Sequence, residues 1–152
     1  MILVRNLLQN IDLGPLMDCD RKSYDVPYTE ADVLKFARGV TVGILNDDSE
    51  QSGRLVGYYI YGMEGTALRL NRFGVLPNWR RVGIGSRLME RFLDEASMFK
   101  KVTTVVPEAN VIAQLFLRHH GWRAVNVVKD CFTNCGYPEN GFYFLRRTDG
   151  VL

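Results

Sequence analysis

The stretch that decides the fold is Val75-Leu76-Pro77-Asn78-Trp79-Arg80-Arg81-Val82-Gly83-Ile84-Gly85-Ser86-Arg87-Leu88. A strand-like run precedes it and a long helical pattern follows. Gly83 and Gly85 let backbone N–H groups approach a ligand closely. A helix start adds unsatisfied N–H donors and roughly half a positive charge. Arg80, Arg81 and Arg87 add formal charge. Together these groups suit a pyrophosphate. A Walker A loop needs a lysine after its last glycine, and none follows Gly85. A dinucleotide fingerprint needs Gly or Ala where Leu88 stands, in an early βαβ unit. What remains is the pattern R-x-x-G-x-G, carried by Arg80, Gly83 and Gly85.

Outward from this loop, toward the N-terminus, lie three strand-like runs: 66–75, 55–63 and 40–45. The second is rich in Val, Tyr and Ile. Glu64-Gly65 is a tight turn and residues 46–53 are a polar turn cluster, so the three runs predict an antiparallel meander. Thr29-Glu30-Ala31-Asp32 is a capping-box pattern that opens a helix running to about Arg38. An earlier helix starts near Asn10 and ends near Asp20, with Pro15 in its first turn. Residues 2–6 form a short strand.

Toward the C-terminus the apolar period becomes helical. Ile84, Leu88, Phe92, Ala96 and Phe99 predict a helix over 84–99. Residues 103–106 form a strand stopped by Pro107. Residues 110–120 form a helix with Ile112, Leu115, Phe116 and His119 on one side, ended by Gly121. Strands follow over 123–128 and 141–147, with a loop between them holding Asn134, Gly136, Pro138 and Asn140. The order is βααβββαβαββ. Its strand–helix–strand–helix middle implies a parallel crossover within an otherwise antiparallel sheet. That is a mixed α/β fold in a single domain over 1–152.

The loop, its setting and a second motif together resemble the GNAT superfamily of N-acetyltransferases. The strand before the loop ends Phe73-Gly74-Val75, followed by Pro77 and the aromatic Trp79. Downstream, Asn110-x-x-Ala113-x-x-Phe116-x-x-x-x-Gly121-Trp122 is similar to the family's N-x-x-A-x-x-L-Y-x-x-x-G-F. The element order also matches. The resemblance implies the GNAT fold: a mixed, mostly antiparallel sheet of six to seven strands flanked by about four helices. It implies acetyl-CoA as cosubstrate and an amine as acceptor. By position, Phe73, Gly74 and Val75 would meet the acetyl and pantetheine arm. Arg80 and residues 81–86 (Arg81, Val82, Gly83, Ile84, Gly85 and Ser86) would hold the pyrophosphate, and Asn110 would touch the pantetheine. An amide near Val75 would polarise the thioester carbonyl.

Two side chains of the family pattern are replaced. Leu117 stands where the family carries a Tyr that protonates the leaving thiolate. Val105 stands where protein N-terminal acetyltransferases of the RimI type carry a Glu. A thiol of pKa about 8.5 leaves readily without an acid. The amine is the larger problem. Near pH 7.4, deprotonating a lysine costs roughly 4 kcal/mol and an α-amine roughly 0.5 kcal/mol. A site without a strong base therefore favours α-amines. Glu108, ahead of the last helix, and Tyr59 and Tyr61, which share one strand face, are the candidate catalytic groups. Glu108 equally suits a helix N-terminus, and the tyrosines equally suit packing. Asp25-Val26-Pro27-Tyr28-Thr29-Glu30 is similar to the P-W-[ST]-E segment of N-terminal acetyltransferases, which makes Tyr28 a candidate acceptor contact.

Composition sets the outer bounds. A net charge of +2 over 152 residues gives no reason to expect nucleic acid or a membrane surface. No apolar run reaches the roughly 20 residues of a membrane span, and the expected location is cytoplasmic. Three cysteines, Cys19, Cys131 and Cys135, cannot complete a disulfide framework, and no histidine lies near the Cys131/Cys135 pair, so no metal is expected. A protein N-terminus, a small-molecule amine and a non-catalytic acyl-CoA-binding module remain alternatives, and a homodimer through the final hairpin stays open.

Overall fold

The computed structural model describes residues 1–36 and 39–148. The elements are β1 (Ile2–Asn6), α1 (Gln9–Ser23), α2 (Glu30–Lys35), β2 (Val40–Leu45), β3 (Leu55–Glu64), β4 (Ala67–Val75), α3 (Ile84–Glu95), β5 (Lys101–Pro107), α4 (Val111–His119), β6 (Arg123–Asn134) and β7 (Tyr137–Arg147). The expected order is observed. The strands form one seven-stranded sheet in the order β1-β2-β3-β4-β5-β7-β6. β4 and β5 run parallel, while β1–β2, β2–β3, β5–β7 and β6–β7 are antiparallel. The chain falls into two compact units. The first is Met1–Gly62 with Asn71–Asp94; the second is Met63–Leu70 with the chain from Glu95 onward.

In the first unit, α1 opens on an ion pair rather than a polar cap residue. The buried Asp12 carboxylate accepts from the Leu8 amide at 2.7 Å and takes both Arg5 nitrogens, at 2.5 and 3.0 Å. The helix starts at Gln9 and runs on to Ser23, three residues past the expected end. Pro15 sits inside it, not in its first turn, as it would even from the expected start near Asn10, which the observed start precedes by one residue. The capping box of α2 is formed, with Thr29 Oγ1 accepting from Asp32 N and Asp32 Oδ2 accepting from Thr29 N. The expected end of this helix at Arg38 lies outside the described residues. α3 buries Ile84, Leu88, Met89 and Phe92. It lies close to β3: a Cβ on Gly57 would come within 2.8 Å of Leu88 Cδ1 and 3.1 Å of the Gly74 carbonyl oxygen. The last turn expected of α3, past Glu95, tightens into a 3-10 turn at Ala96–Met98.

In the second unit, β5 and β7 pair from Lys101↔Arg147 to Pro107↔Gly141. Pro107 thus closes the strand as its last residue. β4 joins β5 at Leu68↔Val102 and Arg69↔Thr103. Beyond that, the Leu70 carbonyl accepts from the Thr104 side-chain hydroxyl at 2.7 Å. Two expectations need correction. The loop predicted between the last strands is mostly strand. β6 and β7 continue to a turn at Cys135-Gly136, both with positive φ (50° and 84°), the geometry of a tight hairpin turn. A register shift between Val128 and Phe132, with Asp130 at φ 53°, absorbs the polar residues. The inner face of α4 also differs. Leu117 is 5% exposed, whereas Ile112 and Leu115 are 74% and 58% exposed, and His119 is exposed as well. Apolar residues cover more than one side of this helix, so their period alone does not choose the side that packs.

Candidate active site

β4 leaves the sheet at Leu76, whose N–H donates to the Val56 carbonyl at 2.8 Å. Pro77–Trp79 then makes one 3-10 turn. The next residues reverse the chain twice, with Arg81 at φ 63° and Gly83 at φ 89°. Successive amides that turn between right- and left-handed conformations make a concave anion site. The first helical bond of α3 runs from Arg87 N to the Gly83 carbonyl at 3.0 Å, so the amides of Gly83, Ile84 and Gly85 lie ahead of the helix ladder. Ile84 is buried and anchors the loop, while residues 80–83 and Arg87 are exposed. A Cβ on Gly83 would meet nothing within 4 Å. The glycine answers to backbone conformation and to whatever approaches from outside. The Nε of Arg80 donates to the Val75 carbonyl at 2.9 Å. Arg80, Arg81 and Arg87 all bring positive charge to exposed positions.

Main-chain groups alternate sides along a strand. Since Leu76 addresses β3, Val75 and Phe73 present their groups to the other side. There Phe73 meets Tyr24, from the segment after α1. The Tyr24 hydroxyl accepts from Phe73 N at 2.9 Å and donates to Phe73 O at 3.1 Å. Tyr24 belongs to a cluster that holds this segment against β3 and β4. The Arg72 guanidinium lies 4.0 Å from the ring centroids of both Tyr24 and Tyr28. It donates to the Val26 carbonyl at 2.8 Å, and its Nη1 is 3.7 Å from Asp20 Oδ1. The fully buried Asp20 also accepts from the Tyr28 amide at 2.6 Å and from the Tyr58 hydroxyl. Burial pushes the Tyr24 phenol above its ordinary pKa, against the Phe73 hydrogen bond and the Arg72 charge. Burial also raises the Tyr58 phenol, and it raises the Cys19 thiol to about 11, leaving that cysteine unreactive at neutral pH.

The other residues singled out by sequence each have surroundings of their own. Tyr59 is fully buried, 5.4 Å ring to ring from Phe92 of α3, with Phe73 stacked at 6.4 Å and Tyr61 at 6.3 Å. Its position is that of a core residue under α3. Glu108 is exposed; its amide donates to Asn140 O and its carbonyl accepts from Gln114 Nε2. Asn110 caps α4, its Oδ1 accepting from Ala113 N at 3.1 Å. Tyr28 spends its ring on Arg72 and its amide on Asp20, as above.

A second polar cluster, in the second unit, had no signal in the sequence. Glu64 Oε1 accepts from Tyr143 Oη at 2.5 Å and Thr103 Oγ1 at 3.3 Å, and Oε2 accepts from Arg69 Nη1 at 2.6 Å. The Tyr143 bond leads in holding Glu64 below the usual carboxylate range, and burial with the Glu64 bond raises the Tyr143 phenol. Tyr143 is the cross-strand partner of Val105. Beside α4 a cavity of about 450 Å³ is lined by Val111, Leu115, Trp122 and Phe142 among others. Among the described residues, no three His, Cys, Asp or Glu side chains converge as metal ligands, and no helix is long and apolar enough to cross a membrane.

The chain matches the family model for the acetyltransferase (GNAT) domain over residues 39–124. No curated protein matches it in sequence. It is similar in structure to the ribosomal-protein-S18-alanine N-acetyltransferase from Escherichia coli (TM-score 0.84, 16% identity, 100% of this chain and 99% of that one covered). It is similar to Arabidopsis thaliana NAA60 in complex with acetyl-CoA (0.84, 16%, 99% and 100%). It is also similar to a GNAT superfamily phosphinothricin acetyltransferase from Sinorhizobium meliloti in complex with AcCoA (0.77, 17%, 99% and 95%). At these identities the likeness is one of fold.

Proposed function

The chain belongs to the GNAT family of acetyltransferases, and on that premise we propose that it transfers an acetyl group from acetyl-CoA to a primary amine, a protein N-terminal α-amine first among them. The observation that carries this reading is the loop ahead of α3. Its two left-handed residues, Arg81 and Gly83, reverse the chain twice at the positive end of a helix. Arg81 and Arg87 add charge from exposed positions. These groups fit a pyrophosphate. Arg80 supports the site indirectly, by fixing the Val75 carbonyl. Phe73, Gly74 and Val75 would line the acetyl and pantetheine arm, with Asn110 beside the pantetheine and Tyr28 on the acceptor side. We keep one domain over 1–152, since β3 and β4 each contribute residues to both units.

The transfer is a direct attack. The amine nitrogen bonds to the thioester carbon, an amide near Val75 stabilises the oxyanion, and the C–S bond breaks to release CoA. An α-amine supports this best, because roughly a quarter or more of it is already neutral near pH 7.4. The ribosomal-protein-S18-alanine N-acetyltransferase among the similar structures supports a protein or peptide acceptor, and the phosphinothricin acetyltransferase keeps a small amine as the alternative. With Leu117 and Val105 in place of the family's acid and base, a module that only binds acyl-CoA is the contrasting outcome. Isothermal titration with acetyl-CoA, beside thiol release over a panel of N-terminal peptides and small amines, decides. We expect binding with turnover, fastest for a peptide α-amine. Faster acetylation of a lysine side chain would overturn the acceptor, and absence of binding would overturn the whole reading.

A further inference from the structure

Even with a neutral α-amine, the attacking nitrogen must lose a proton once the C–N bond forms, and the two family positions for a proton-moving group hold Leu117 and Val105. Tyr24 offers a phenol at the strand residue assigned to the cosubstrate arm. We propose that Tyr24 is the catalytic proton shuttle of the acetyl transfer, a role that rests on the acetyltransferase reading above.

Three observations carry it. First, the Tyr24 hydroxyl is bound to both main-chain groups of Phe73, at 2.9 and 3.1 Å. These groups turn away from β3, and the amide of a ligand laid along β4 would seek the same ones. When such a ligand takes either bond, the phenol is left beside it with a proton to give or a lone pair to receive one. Second, the hydroxyl is already engaged as donor and acceptor at once, which is what a shuttle requires. Third, the ring is held in place. Arg72 stacks on it at 4.0 Å and is itself fixed by the Val26 carbonyl and the Tyr28 ring. The charged and titratable neighbours are Arg72 on the ring face, with Asp20, Tyr28 and Tyr58 behind it. The guanidinium favours a transient phenolate, and burial keeps the phenol protonated at rest.

The amine attacks, forming the C–N bond and leaving a positively charged, strongly acidic nitrogen. As the C–S bond breaks, the sulfur takes the proton from Tyr24 Oη. The phenolate so formed takes a proton from the nitrogen. Amide and free thiol result, and Tyr24 ends in its starting state. No third reactant is consumed.

The test is Tyr24→Phe, which keeps the ring stacked on Arg72 and removes only the hydroxyl. In the full chain, with acetyl-CoA and the best peptide of the panel, we expect a Kd for acetyl-CoA within about twofold of the parent. We expect kcat to fall by about 100-fold, the range for loss of one general acid–base group. Fluorotyrosine incorporated at position 24 leaves the hydroxyl and the fold intact and lowers the phenol pKa. It should move the alkaline limb of the kcat profile to lower pH. A Tyr24→Phe protein with parental kcat, or one whose loss falls wholly on acetyl-CoA affinity, would make Tyr24 a strut and overturn the shuttle. An unmoved alkaline limb would do the same. If the parent chain itself fails to bind acetyl-CoA, the acetyltransferase reading fails instead, and the titration separates the two.

Discussion

A side chain added at position 83 meets open space within the protein, yet the position rejects one on two grounds. Its φ of 89° strains any residue with a Cβ by roughly 1–3 kcal/mol. The space it would enter is that assigned to the pyrophosphate. Gly83→Val should therefore retain the native circular-dichroism spectrum and lose at least about tenfold in acetyl-CoA affinity by titration, the equivalent of about 1.4 kcal/mol. At this scale the sequence was most informative where a residue acts through its backbone. The loop was legible because Gly83, Gly85 and the arginines are contiguous. Tyr24 was not, because nothing local marks a tyrosine whose partner, Phe73, is 49 residues away. Tyr59 reads two ways in sequence because strand alternation tells which residues share a face and not whether that face is covered. Here Phe92 covers it.

Helices and strands were placed well, and their ends and packed sides less so. α2 was legible from its cap because a capping box is complete within four residues. α1 starts within one residue of its expected place and runs three residues further, to Ser23, since no Gly or Pro stands between Asp20 and Pro27. The two strands of the final hairpin are legible and its tip reads as a loop, because the turn uses Cys135 in a left-handed conformation, a residue with no turn preference. The contact of α3 with β3 turns on Gly57. In Gly57→Ala the new methyl would press Leu88, which can rotate, and the Gly74 carbonyl, which is fixed in the strand. Overpacking of this kind costs roughly 1–3 kcal/mol. We expect a lower urea midpoint with an unchanged slope.

For the molecule as a whole, element order and fold class were readable because each rests on local pattern. The polar clusters were not, since Glu64 and Tyr143 are 79 residues apart and only the folded sheet joins them. Acid sensitivity follows from such pairings. Burial alone would raise the Asp12 pKa, but the Arg5 hydrogen bonds, the Leu8 amide and the Arg5 charge together bring it below the ordinary value. A carboxylate lowered on folding stabilises the protein above its unfolded pKa of about 4, and that contribution fades as pH falls through the lower folded value. Asp12→Ala should cost about 2 kcal/mol at neutral pH and flatten the fall of Tm below about pH 4. A variant whose Tm keeps the parental acid slope would show that other carboxylates set it.

The division of the chain has a consequence for biosynthesis. The first unit is interrupted by Met63–Leu70, which the second unit claims, and it closes only with Asn71–Asp94. A nascent chain emerging from the ribosome therefore completes neither unit when residue 62 appears. It must carry an unfinished first unit until Asp94 is free, while the borrowed segment waits for β5, which begins at Lys101.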